Sequence, residues 1–298
     1  MADTLIDLVA AELAVPVDPR VAAMAAAIAG RYGAAARAIL FYGSCLRSRE
    51  LDGQMLDFYL IVSSYREAYG RSWLAPANRL IPPNVFPFEH GGLAAKYAVL
   101  SDADLARECS PEARSVSVWA RFAQPSRLIW AADEASRERT VAAVAAAAPT
   151  LFRLTLPMLD GPAAPDPLDI WRRGFSLTYG AELRAERETR SASIVDSDTA
   201  RYRRFAHAAL AEIAGNGVDV PPSLMRRRWR RMQRKGKALS VLRLVKASGT
   251  FAGGIDYLAW KINRHAGTAI AVRPWQRRWP LLGAVTLLPR LLRQKAIR

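Results

Sequence analysis

The stretch AILFYGSCLRSRELDGQMLDFYLIV, residues 38–62, decides the fold. Ala38 to Tyr42 is a short apolar run of strand type that stops at Gly43-Ser44, and Met55 to Val62 is a second one. Short apolar runs bounded by turn residues fit strands buried on both faces. The second run holds a single acid, Asp57. An unpaired carboxylate is costly to bury, so an acid in that place calls for a partner or a ligand.

Working outward, residues 4–35 are Ala-rich with apolar side chains at helical spacing and read as two helices, interrupted near Pro16 and Pro19. Residues 76–92 carry Pro76, Pro82, Pro83, Pro87 and the Gly91-Gly92 pair and are expected to form a loop, with His90 beside Glu89 on its surface. Lys96 to Leu100 begins another short strand, and Ser101-Asp102 caps a helix. Residues 111–160 are expected to be helical, with Arg121 and Arg127 on a solvated face near Trp119 and Trp130, and Gly161 to Pro167 is a linker. Phe175 to Leu183 is expected to be one more strand, with Glu182 near its end. Beyond residue 197 the pattern is helical, broken at Gly215–Pro222 and Gly253-Gly254.

Transfer of a phosphate group needs a loop that brings backbone N–H groups close to a polyphosphate, and carboxylates that hold the Mg²⁺ neutralising it. Tyr42-Gly43-Ser44 supplies such a turn, and Asp57 follows after a spacer of twelve residues. That spacing is similar to the one in DNA polymerase β-like nucleotidyltransferases. Where that superfamily has a second acid two residues on, position 59 is Tyr. A narrower resemblance accounts for it. Phe41-Tyr42-Gly43-Ser44, Met55-Leu56-Asp57-Phe58, Asn84 ahead of Gly92-Leu93, and Lys96-Tyr97-Ala98-Val99-Leu100-Ser101 resemble the mitochondrial translocator assembly and maintenance family of phosphatidate cytidylyltransferases, of which this would be a bacterial-looking member. Members of that family also carry an apolar residue where the superfamily expects the second acid. Thr178-Tyr179-Gly180-Ala181-Glu182-Leu183-Arg184 resembles the family's Ser-Tyr-x-x-Asp-Phe-Arg strand. The resemblance covers roughly residues 38–185 in separated blocks; toward the C-terminus, Ser248 to Gly254 lacks the family's Lys-Gly pair.

The resemblance implies a nucleotidyltransferase core sheet of α/β (α+β) class over residues 1–195, with a helical insertion or second domain at about 111–164, and a basic helical C-terminal region over 196–298. It implies Mg²⁺ held by Asp57 and Glu182, with Ser44 joining them in catalysis. Tyr42, Gly43, Ser44, Asn84, Lys96, Tyr97 and Arg184 would contact CTP or phosphatidic acid. Lys96 could equally be a lysine whose stem lies along a strand end with its ammonium in water. Cys45 is expected to be packing, since no histidine pairs with it in the sequence.

The 298 residues carry 43 Lys plus Arg against 27 Asp plus Glu, and the surplus is not evenly spread. Residues 220–298 hold 19 basic residues and one acid, Asp256, whereas residues 1–219 hold 24 against 26. Met225 to Lys237 alone contains eight Lys or Arg around Trp229. Such a cluster could neutralise nucleic-acid phosphates or sit on anionic lipid headgroups. Trp275, Trp279, Leu281, Leu282, Leu287 and Leu288, interleaved with arginines, favour lipid, and the uncharged stretch from Trp279 to Pro289 is too short to cross a bilayer.

Two cysteines and three scattered histidines exclude a disulfide framework and a Cys- or His-rich zinc site. Asp3, Asp7 and Glu12 argue against a signal or transit peptide, and no uncharged apolar run spans a membrane. The expectation is a peripheral enzyme on the cytoplasmic face of the inner (plasma) membrane, docked through its basic region, with no stable nucleic-acid partner. Two alternatives stand beside it: a nucleotidyltransferase acting on RNA ends or another small acceptor, and a non-catalytic basic protein that binds nucleic acid or lipid.

Overall fold

The two apolar runs pair with each other. In the computed structural model, which describes residues 3–48, 50–159, 165–181, 189–214, 220–250 and 271–278, β1 (Ala36–Tyr42) lies antiparallel to β2 (Met55–Val62), placing Tyr42 opposite Asp57. They form the centre of a five-stranded mixed sheet of order β3-β4-β2-β1-β5, and the class is α/β. β2 runs parallel to β4 (Leu93–Ser101), and every other pairing is antiparallel.

Side chains alternate between the two faces, and each face carries its own core. On one side Ala38, Leu40, Tyr59, Ile61, Ala98 and Leu100 pack beneath helices that include α1 (Leu5–Leu13). On the other, Ile39, Phe41, Phe58, Leu60, Tyr97 and Val99 pack beneath α2 (Pro19–Gly30). Thr4 caps α1 with a reciprocal bond to Asp7, and Asp18 caps α2 with Pro19 in its first turn. After β1 comes α3 (Ser44–Ser48); after β2 come α4 (Tyr65–Tyr69) and α5 (Leu74–Leu80).

Three expectations are corrected. Residues 76–92 are not a loop, because they include the end of α5 and β3 (Asn84–His90), which forms a hairpin with β4 across Gly91-Gly92. β3 tolerates Pro87 because it is an edge strand, where a missing N–H need not break a ladder on both sides. The span 111–160 is not helical throughout. After α6 (Asp102–Cys109) and the one-turn α7 (Trp119–Phe122), β5 (Ser126–Ala131) completes the sheet beside β1 and carries Arg127. Two helices follow, α8 (Glu134–Ala145) and α9 (Ala147–Thr155). Last, Phe175 to Tyr179 belongs to a helix, α10 (Pro167–Tyr179), whose Asp166 cap and Pro167 start it and whose buried Leu168, Trp171, Phe175 and Tyr179 recur at helical spacing. Of the expected strand, 175–179 is thus helical and 180–181 form a turn; residues 182–183 lie outside the described residues.

Among the described residues, the continuous stretch Glu134–Met158 is long and apolar enough to cross a membrane, yet 67% of its most apolar window is buried in this core.

The basic region is not an appendage in its described part. After α11 (Thr189–Asp196), α12 (Thr199–Ala214) enters the α1-side core through Tyr202, Phe205 and Ala209. Its buried Arg201 donates to both oxygens of Glu12 on α1 and to the carbonyl of Ala123. α13 (Pro222–Thr250) contributes Met225, Trp229 and Met232 to the same core. The Trp229 indole N–H donates to the Leu154 carbonyl at 2.8 Å, and its ring meets Trp119 edge-on at 6.3 Å. Two turns on, Gly236 lies so close to the chain just past α10 that a Cβ there would fall 2.1 Å from the Ala181 carbonyl oxygen. Farther along, Arg243 donates to Pro82 O at 2.6 Å and to Ser117 Oγ at 2.8 Å, and buried Lys246 donates to the carbonyls of Ile81 and Pro83. A five-residue helix, α14 (Pro274–Arg278), closes the described chain.

Trp229→Ala removes a buried aromatic and its hydrogen bond and is expected to destabilise the whole chain by about 3–5 kcal/mol in urea or thermal unfolding; an unchanged midpoint would mean that α13 is not part of the cooperative core. Burial, with Arg243 beside it, pushes the Lys246 ammonium down to about 7. The folded chain therefore binds fewer protons there than the unfolded chain between neutral pH and about pH 10, and stability rises with pH across that interval. Measured by urea unfolding, wild type should gain stability relative to Lys246→Met as the pH is raised through it.

Candidate functional site

The strand register assembles a polar row at one end of the sheet. Tyr42 on β1 faces Asp57 on β2, Asp57 faces Lys96 on β4, and Ser126 on β5 lies opposite Tyr42. Tyr42, Asp57 and Lys96 share the sheet face that carries Leu40 and Tyr59. Lys96 Nζ lies 3.1 Å from Asp57 Oδ1, and their side chains are 34% and 19% exposed. The pair is therefore reachable from solvent while its carboxylate is largely withdrawn from it.

Gly43 determines how β1 approaches that carboxylate. Its φ of 98° lies in the left-handed region, and a Cβ there would come within 3.0 Å of Asp57 Oδ2. Only glycine lets the backbone turn against the carboxylate. The chain then enters α3, with Ser44 exposed at its start and Cys45 buried. The Cys45 thiol donates to the Met55 carbonyl at 3.6 Å, and burial together with the Asp57 charge pushes its pKa up, so it packs as a thiol.

Tyr42 closes the row on the far side of Asp57. Its ring packs on Tyr59 at 5.3 Å and on Phe122 at 6.1 Å. Burial first, then the negative charge of Asp57, raises its hydroxyl well above the ordinary tyrosine range, while the Arg121 guanidinium hydrogen-bonds to that hydroxyl. The hydroxyl stays protonated at any physiological pH. Arg121 also donates to the Ser117 carbonyl, and Ser117 Oγ accepts from Arg243 of α13. Arg121, expected on a solvated helix face, instead sits half-buried beneath the row. Neither its role nor that of Arg243 was visible in sequence, because both depend on where helices from distant parts of the chain cross.

Two expected substrate contacts lie elsewhere. Tyr97 points to the opposite face from its neighbour Lys96, is buried among Tyr32, Phe86 and Phe88, and shares a 3.2 Å hydroxyl bond with Tyr32. Asn84 is fully buried; its N–H donates to Asn78 Oδ1 and its amide to the Leu74 carbonyl at 3.0 Å, which ties α5 to the start of β3. Glu182 and Arg184 lie outside the described residues. The expected set is thus brought together as Tyr42, Gly43, Ser44, Asp57 and Lys96.

Among the described residues no group of three or more metal-ligating side chains converges; Glu182, the second expected ligand, lies outside them. A single carboxylate does fit Mg²⁺ that arrives with a polyphosphate, since Mg²⁺ is commonly held by one or two carboxylates and the substrate's own oxygens. A cleft of about 710 Å³ lies apart from this row, on the α2 side of the β1–β5 edge, lined by Val17, Val21, Phe41, Leu46 and Arg127 among others. Phe41 points away from the face that carries Asp57, so the chemistry and this cleft lie on different sides of β1.

Comparison with models of protein families and with characterised proteins returns no match for this chain.

Gly43→Ala is expected to destabilise the fold by about 1–3 kcal/mol through its backbone conformation and its contact with Asp57. Asp57→Ala removes that contact, so in a double-mutant cycle followed by urea unfolding the two substitutions should cost less together than the sum of each alone. Strict additivity would mean that Gly43 does not press on the carboxylate.

Proposed function

We propose that the chain is a Mg²⁺-dependent nucleotidyltransferase, and specifically a phosphatidate cytidylyltransferase that moves CMP from CTP to phosphatidic acid and releases pyrophosphate. The observation that carries this is the Asp57 carboxylate laid against the Gly43 turn, with the Lys96 ammonium 3.1 Å from it. A turn with exposed backbone, a carboxylate and a cation in one row are the parts that a triphosphate and its metal need.

The chemistry suits a site with few carboxylates. The attacking group is the phosphate monoester of phosphatidic acid, whose second pKa near 6 leaves it largely dianionic at neutral pH. Its oxygen forms a bond to the α-phosphorus of CTP as the bond from that phosphorus to the β-phosphate bridge breaks, and pyrophosphate carries away the electron pair. No side chain has to remove a proton. On this reading Gly43 and Ser44 hold the triphosphate, and Asp57 holds Mg²⁺. Mg²⁺, when bound, neutralises phosphate oxygens and favours the in-line geometry. Lys96 then has a phosphate oxygen to turn to in place of Asp57, and Arg121 keeps Tyr42 fixed behind them. On this reading the enzyme works at the cytoplasmic face of the inner membrane, where its lipid acceptor lies.

The test is turnover of labelled CTP with phosphatidic acid and Mg²⁺, read as CDP-diacylglycerol and pyrophosphate. Asp57→Asn keeps the shape of the row and is expected to lower kcat by about a thousandfold, with the fold checked by circular dichroism. A wild-type chain that transfers no nucleotide to phosphatidic acid, or an Asp57→Asn variant with undiminished turnover, would refute the proposal.

A further inference from the structure

α13 has two faces that differ completely. Its inward stripe, Met225, Trp229, Met232 and Gly236, is buried, while all eight Lys and Arg side chains between Met225 and Lys237 are exposed. The helix contains no acid. At 100° per residue those eight cations cover about half of the helix circumference. Two large apolar side chains, Leu224 at 53% and Leu242 at 47% exposure, stand outward at either end of the patch. They are eighteen residues apart, five full turns, so they point the same way about 27 Å apart with Arg231 and Lys235 between them.

We infer that the outer face of α13 is a docking surface for an anionic lipid membrane. Charge complementarity calls for a polyanion, and two observations select a planar lipid surface over nucleic acid. The one aromatic residue in the cluster, Trp229, is turned into the core, so the face offers no platform on which bases could stack. The two leucines gain nothing against a phosphodiester backbone, whereas at a bilayer they reach the boundary of the acyl region while the arginines meet the headgroups. Because α13 is fixed to the core by Trp229, Gly236 and Arg243, docking requires no rearrangement of the helix. The choice of lipid draws support from the phosphatidic acid acceptor proposed above, and that dependence is separable by experiment.

The test uses the full chain and flotation with phosphatidylcholine vesicles, with and without phosphatidylglycerol. Wild type should float only with the anionic vesicles, and less so as salt rises. Combined Arg227→Gln, Arg231→Gln, Arg234→Gln and Lys235→Gln should weaken that binding by about a hundredfold or more while leaving the thermal midpoint and turnover of a short-chain, micelle-dispersed phosphatidic acid unchanged. Leu224→Ser with Leu242→Ser should weaken it more modestly. Unchanged flotation of the four-fold variant, or a preference for single-stranded RNA over anionic vesicles in competition, would overturn the inference. If wild type floats with anionic vesicles and the four-fold variant does not, while neither turns over any acceptor, the docking surface stands and only the cytidylyltransferase is refuted.

Discussion

Asp57 sits in β2 between Leu56 and Phe58, both fully buried, and a carboxylate in such surroundings persists only if it is paired or at the edge of water. Both conditions are met at one end of the sheet. Register puts Lys96 beside it across β4, and the row lies where the core thins enough to leave Asp57 19% exposed. The same carboxylate then constrains its other neighbour. Gly43 must be glycine because β1 turns with its backbone against Asp57 Oδ2, and Tyr42 is held protonated partly by that charge. A solvent-reachable pair of this kind contributes little to stability, on the order of 0–1 kcal/mol. Its value to the molecule lies in presenting a carboxylate, a cation and a bare turn together.

The central strands were legible because a short apolar run closed off by turn residues is long enough for a buried strand and too short for a buried helix, and β1, β2 and β4 stand where the pattern placed them. The edges were not legible. β3 carries a proline that only an edge strand accepts, and β5 is a six-residue run among helices, too short for periodicity to separate strand from helix. At Phe175 the aromatic and β-branched content suggested a strand, while the Asp166-Pro167 start and the spacing of Leu168, Trp171 and Phe175 pointed to the helix that forms. The site divides the same way. Residues in one cross-strand row could be named from the block they occupy, but Lys96 and Tyr97 are adjacent in a strand and cannot both face one site. Arg121 and Arg243 could not be found from sequence at all, since their meeting at Ser117 is a property of the tertiary fold.

The basic cluster carries two messages in one helix. Met225, Trp229, Met232 and Gly236 follow a spacing of four, three and four, which keeps them on one stripe, and cations fill most of the positions between. Apolar burial of that stripe holds α13 in place, and the surface charge is left largely free of folding duty. This division accounts for how thirteen residues with eight positive charges can belong to a structured core: the guanidinium groups stay in water, and only the stripe beneath them is buried.

Residues 1–219, which contain the candidate row, are close to neutral, with 24 basic residues against 26 acidic ones. The overall field of this part of the chain therefore does not attract a polyanion, and the positive charge at the row is local. Lys96 is one source of it, and Arg121 stands behind Tyr42 as another. α13 adds Arg243, whose bond to Ser117 Oγ adjoins the Arg121 bond to the Ser117 carbonyl. The helix whose outer face carries the surplus charge thus reaches, through its inner face, the residue that positions Arg121. Charge on the outside and order at the row are joined by one helix and one serine, while the same inner face meets the sheet directly through the Arg243 and Lys246 bonds to Pro82, Ile81 and Pro83 at the start of β3.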